Sequence, residues 1–179
     1  TNEISHRMAG TPPMFYYLIQ IIGKDGRRAA ILTIILVFIF LLIDFKSPTR
    51  SLIAMIPLVT GFVWMLGLMA LLGVKLTIVN IMGLPLILGI GIDDGVHILH
   101  RYKIEGKSAI KKVYSSTGKA VIITSFTTMI SFGSLVFATY RGYGSLGMAL
   151  FIGVGACLLT TILILPSILG LKNRRTIDD

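Results

Sequence analysis

Long apolar runs separated by short polar segments dominate the chain. Five of these runs approach the ~20 residues that a helix needs to cross the hydrocarbon of a bilayer. They predict spanning helices at about residues 28–43, 48–72, 77–99, 120–139 and 145–169. Asp44-Phe45-Lys46 closes the first. Ser47-Pro48 reads as a cap followed by proline in the first turn of the second, and Pro57 predicts a kink within it. Gly61 and Gly67 offer sites for close helix contact. The tight Arg141-Gly142-Tyr143-Gly144 turn leads into the fifth span, with Pro166 and Gly170 at its end and a polar tail over 171–179.

Two weaker patterns flank the spans. Thr11-Pro12-Pro13 interrupts regular structure, and Met14 to Ile22 is too short to span. Its two tyrosines suit an interfacial helix, ended by Gly23-Lys24-Asp25-Gly26, so residues 1–26 read as an extracytoplasmic or interfacial lead-in. Between the third and fourth spans, Ser108 could cap a short amphipathic helix with Ile110, Val113 and Tyr114 on one face, lying on the membrane surface. The predicted fold is therefore all-α: a five-helix transmembrane domain over 27–170 with two small accessory helices.

Composition agrees with that class. The 179 residues are 54% hydrophobic and 14% charged, too apolar for a soluble domain of this size. The net charge of +9 does not indicate nucleic acid, because the cations sit in loops between apolar runs. The single cysteine, Cys157, lies in an apolar run, which excludes an internal disulfide framework or a cysteine metal site. The chain starts at Thr1 without a cleavable leader pattern, which predicts a piece of something longer.

Lys and Arg set an expected orientation. Segments 44–51, 99–119 and 170–179 fall on one side and hold eleven of the 17 cations, so that side, with the C-terminus, is predicted cytoplasmic. Lys24, Arg27 and Arg28 conflict with this rule, since the same topology puts them outside.

The chemistry concentrates on the third span. Gly89-Ile90-Gly91-Ile92-Asp93-Asp94-Gly95-Val96-His97 sets two carboxylates and an imidazole in a hydrocarbon-like segment. Ionisable groups at that depth are costly and mark an ion or substrate path by default. Adjacent residues point about 100° apart on a helix, so Asp93 and Asp94 cannot face the same neighbour. His97 is within reach of either. Two close carboxyls in low dielectric do not both ionise comfortably, which suits a proton relay with His97 beside it. An ordinary helix-helix hydrogen bond is the plainer alternative. Gly89, Gly91 and Gly95 remove bulk beside the acids, so that another backbone can approach.

On the fourth span Thr124, Thr128 and Ser131 form one stripe, with Thr127 and Ser134 beside it. Such hydroxyls can hydrate a carboxylate or bond their own backbone. No other span carries an internal acid, and none carries an internal Lys or Arg, so a charge partner for the aspartates is expected from outside this chain. Gly89-Ile90-Gly91-Ile92-Asp93 differs from the Gly-x-Gly-Asp of intramembrane aspartyl proteases by one inserted residue. With no second aspartate helix either, an enzyme is not expected.

The run from Gly89 to Tyr102 resembles the Asp-bearing helix of the resistance-nodulation-division (RND) superfamily, especially its MMPL and hopanoid-transporter-like branch. Gly118-Lys119-Ala120, Thr124-Ser125, Thr127-Thr128, Phe132-Gly133 and the final Leu165-Pro166-Ser167 extend the likeness over about residues 12–170. The resemblance implies one five-helix block of a two-repeat transporter, the C-terminal one, with the N-terminal repeat and the periplasmic domains lying elsewhere. It implies proton-motive-force coupling at Asp93 and Asp94 and, more loosely, at Thr124 and Thr128. The expected function is proton-driven export of hydrophobic or lipid-like molecules across a cell inner membrane. Protons and membrane lipid are then the partners, without cofactor, metal or nucleic acid, and a homo-oligomer is compatible with this. The block also resembles the sterol-sensing domain of Patched-like proteins and the membrane part of Sec-associated translocation factors.

Overall fold

The computed structural model describes residues 11–106 and 110–175. Among them only helices occur: α1 (Thr11–Phe45), α2 (Pro48–Leu71), α3 (Ile78–Glu105), α4 (Ile110–Val113), α5 (Lys119–Gly133) and α6 (Arg141–Arg175), with a π turn at Tyr114–Gly118 and a 3-10 turn at Ser134–Phe137. Five helical stretches are long and apolar enough to cross a membrane: Gln20–Phe45, Pro48–Leu71, Ile78–Glu105, Tyr114–Phe137 and Arg141–Gly170. The chain is a multi-pass, all-α membrane protein.

α6 is the centre of the bundle, packed against α2, α3 and α5, while α1 lies against α3 and α2. In the most apolar window of α6, 61% of the residues are buried, against 11% in the first and fourth spans. Lipid tails are as apolar as leucine, so burial alone does not hold such helices together. Close van der Waals approach and interhelical hydrogen bonds do. Gly61 illustrates the first: a Cβ there would lie 2.8 Å from Cys157 Cα on α6. Thr160 illustrates the second, with its Oγ1 buried 2.8 Å from the Pro57 carbonyl oxygen of α2.

Two polar ties fix opposite ends of the bundle. At one end the Ser51 hydroxyl of α2 lies 2.9 Å from the Leu41 carbonyl oxygen of α1. At the other, the Asn80 amide donates to Ser145 Oγ at 2.8 Å and to the Lys75 carbonyl at 3.1 Å, which joins the start of α3 to the start of α6. Tight reversal at Lys46, with φ 50°, turns α1 into α2. Ser47 occupies the cap position of α2 in extended geometry and Pro48 its first turn, but the Ser47 side chain makes no capping bond.

Three local expectations change. The separate interfacial helix at 14–22 does not form; α1 is continuous from Thr11 to Phe45, with Pro12 and Pro13 in its first turn, where proline is tolerated. Gly23 and Gly26 do not end it. Gly26 is instead a contact point, for a Cβ there would collide with Ile81 Cγ2 of α3. The amphipathic segment after α3 turns its apolar face to the bundle rather than to lipid: Val113 is buried, and Ile110 and Tyr114 pack against the core. That segment runs through the π turn directly into α5; the proposed cap at Ser108 lies outside the described residues. Finally, α6 begins at Arg141 and continues past Pro166 and Gly170 to Arg175, so residues 171–175 of the expected tail are helical.

Candidate functional site

α3 is capped at Thr77, whose side chain accepts from the Asn80 backbone at 3.3 Å, and ends at Gly106, where φ of 88° leaves the right-handed region. Between them the helix is unbroken despite Pro85. At ~1.5 Å per residue, Asp94 lies about 24 Å from the Ile78 end and about 16 Å from the Glu105 end. A bilayer hydrocarbon core of ~30 Å therefore places it well inside the membrane.

The two aspartates have different surroundings. Asp94 is buried, 8% exposed, and faces α5. Ser125, also buried, sets its hydroxyl 3.0 and 2.9 Å from the two Asp94 carboxylate oxygens. One hydroxyl carries one proton, so it donates to one oxygen of an ionised carboxylate. The second contact is satisfied when the carboxyl is protonated and donates back to Ser125. The Ser125 hydroxyl can thus bond the carboxyl in either protonation state.

Asp93 is exposed, as are Gly89 and His97 at the same angular position one turn before and after it. Among the described residues, no ion pair or side-chain hydrogen bond involves Asp93 or His97. Asp93 and His97 lie on the outer face of the five-helix block, away from the Asp94–Ser125 contact.

The glycines divide in the same way. Gly91 and Gly95 are buried: a Cβ on Gly91 would meet Cys157 Sγ at 2.6 Å and Leu58 Cδ1 at 3.1 Å, and one on Gly95 the Ala54 carbonyl oxygen at 3.3 Å. They bring α3 onto α2 and α6 directly beside Asp94. Gly89 has open space around it.

Thr124 and Thr128 are not joined to the aspartates. The Thr124 hydroxyl donates within its own helix, 3.0 Å from the Val121 carbonyl, and the Thr128 hydroxyl to the Thr124 carbonyl at 2.9 Å. Thr127 and Ser131 do likewise. This hydroxyl stripe is mostly exposed; the polar contact to the acid comes from the adjacent buried face. Sequence reasoning missed Ser125 as a site residue. Its signal was a hydroxyl within the apolar stripe formed by Val121, Met129 and Phe132, and a polar residue on a buried face is the informative kind.

Nearer the Glu105 end, His100 Nδ1 lies 3.4 Å from Asp44 Oδ2, and its ring packs on Phe45, joining α3 to the end of α1. Arg101 and Lys112 converge on Glu105 at 2.6 and 2.7 Å, tying α3 to α4. Among the described residues no three His, Cys, Asp or Glu side chains gather closely enough to hold a metal ion.

Comparison with known proteins fits this frame. A membrane protein of Methanocaldococcus jannaschii is 30% identical over 92% of this chain and 44% of its own length. The hopanoid transporter HpnN of Burkholderia multivorans is 29% identical over 80% of this chain and 16% of its length. The protein translocase subunit SecD of Koribacter versatilis is 32% identical over 84% of this chain and 30% of its length. The chain thus spans less than half the length of each of these relatives. No solved structure matches it. The MMPL family profile matches residues 2–178, and with nearly every residue inside that match, the chain belongs to the MMPL family of the RND superfamily.

Proposed function

We propose that this chain is the membrane block of a proton-driven transporter that exports hydrophobic or lipid-like molecules. The observation that carries the reading is a buried carboxyl in the middle of a long apolar helix whose one side-chain partner among the described residues, the Ser125 hydroxyl, can bond both its charged and its neutral form. Asp94 is the coupling acid in this scheme. Gain or loss of its proton changes the charge at the α3–α5 contact, and Gly91 and Gly95 transmit the change to α2 and α6 by close packing.

Asp93 and His97 take the other part. Exposed ionisable groups facing hydrocarbon are costly, so such residues belong against protein or a water-filled cavity. The exposed hydroxyls of α5 suit the same surroundings. We assign Asp93, His97, Thr124 and Thr128 to a hydrated face completed by a further repeat of the full-length protein, through which protons reach Asp94. The relatives' shares of length support such an arrangement. In the orientation set by Lys and Arg, the Glu105 end of α3 faces the cytoplasm of a cell with this protein in its inner membrane.

The test is export by the full-length protein in vesicles with an imposed proton gradient. Asp94→Asn keeps a side chain that accepts a bond from Ser125, so folding persists while coupling is lost. Undiminished proton-coupled export in the Asp93→Asn, Asp94→Asn double variant ends the proposal. A second reading, a Sec-associated translocation factor, draws on the SecD relative. It predicts that both variants reduce secretion of an unfolded polypeptide and leave lipid export unaffected. A sterol-sensing-like module, the third, predicts ligand binding that survives both substitutions and ignores the gradient.

A further inference from the structure

The three cations that break the expected charge rule, Lys24, Arg27 and Arg28, are gathered at one place. They line an open cavity of about 520 Å³ together with Gln20, Gly23 and Ile81. It shares Gly23, Arg27 and Ile81 with a second cleft of about 330 Å³ that continues along α1. The walls of this second cleft are apolar: Ile31 and Ile34 from α1, Phe62 from α2, Leu84 and Leu88 from α3. One carboxylate, Asp25, stands near the mouth, 3.9 Å from Arg28. Among the described residues no carboxylate pairs with Lys24 or Arg27.

We propose that this groove binds one alkyl chain of an anionic amphiphile, with a phosphate-type headgroup held by Lys24 and Arg27. Charge complementarity selects the headgroup, since three cations face one acid at the opening. Groove length selects the tail. From Gly23 to Ile34, α1 advances about 16 Å at ~1.5 Å per residue, which is half the ~30 Å hydrocarbon thickness and so the depth of one leaflet. The groove mouth is level with the α2–α3 loop, because Gly26 packs on Ile81 near the start of α3. This is the end of the bundle opposite Glu105. Cations there serve a ligand in that leaflet, which accounts for their place against the positive-inside pattern. The site is separate from Asp94 and stands whether or not the protein is proton-driven.

Photoactivatable lipids test it. The full-length protein is reconstituted in phosphatidylcholine bilayers that carry a trace of acyl-photoreactive phosphatidylglycerol or phosphatidylcholine, and labelled residues are mapped. Phosphatidylglycerol is expected to label the α1 segment over 23–34 about thirty-fold more than phosphatidylcholine, as each of the two cations near the headgroup is worth ~1 kcal/mol. The double variant Lys24→Gln, Arg27→Gln should remove that preference. Gly23→Leu should lower labelling by both lipids, since Gly23 has open space beside it and leucine suits a helix better than glycine. Gly67→Leu, equally unobstructed on α2, is the matched control and should leave labelling unchanged. Excess soluble glycerol phosphate should not displace the lipid. Equal labelling by the two lipids, insensitivity to Gly23→Leu, or displacement by glycerol phosphate would each overturn the proposal.

Discussion

At the residue scale the protein separates two adjacent acids by one helical step. Asp94 turns inward to Ser125 and Asp93 turns outward, so one sequence motif supplies two environments. Ser125→Ala should leave Asp94 with no side-chain hydrogen bond among the described residues. Hydrogen bonds between membrane helices average ~0.6 kcal/mol, and a charged acceptor raises that figure. A loss of about 1 kcal/mol in unfolding free energy is expected from denaturation in mixed micelles, and Ser125→Thr should recover most of it. An unchanged midpoint for Ser125→Ala would mean that the contact contributes nothing. Thr128→Ala differs, because its hydroxyl bonds its own helix: the same measurement should show less than ~0.5 kcal/mol. The Asp pair itself was conspicuous in the sequence, since acids in an apolar run stand out in one dimension. The partner was not. Choosing Ser125 over Thr124 requires the rotational phase of α5 against α3, and a step of 100° decides it.

Elements were easier to read than their ends. A run of ~20 apolar residues is a strong signal on its own, and all five spans appear. Termini depend on contacts that the run does not encode. Gly23 and Gly26 looked like terminators for α1, yet Gly26 is the seat for Ile81. Ile110, Val113 and Tyr114 looked like a membrane-facing stripe, yet the bundle core covers them. The glycines of α2 show how context divides one residue type. Gly61→Ala places a methyl against Cys157 Cα and the Thr160 hydroxyl, and backbone cannot yield as a flexible side chain does. About 1–3 kcal/mol of destabilisation is expected from such overpacking. Gly67→Ala meets open space and should be neutral or slightly stabilising. Equal melting temperatures for the two variants would contradict the α2–α6 contact.

Across the whole molecule, the buried side chains crowd around α6 while α1 and α5 keep broad outer faces. If the hydroxyl face of α5 is hydrated in the full-length protein, Thr128→Cys should react with a membrane-impermeant maleimide. The native Cys157 is buried and should stay silent. Ile123→Cys, on a more apolar exposed position, supplies the comparison. Equal protection of both cysteines would remove the hydrated-face proposal without touching the lipid groove.

The unbroken α1 has a mechanical consequence. Its 35 residues extend about 52 Å at ~1.5 Å each, longer than the ~40–45 Å of a whole bilayer with headgroups. Such a helix works as a stiff shaft: a rotation imposed near Phe45 arrives at Thr11 with its phase intact. Phase can be reset by insertion. One alanine added after Gln20 rotates everything before it by about 100°, whereas seven alanines return it to within about 20° at the cost of about 10 Å. Export by the full-length protein should fail with one inserted residue and recover substantially with seven. Equal activity of the two would show that torque does not pass along α1.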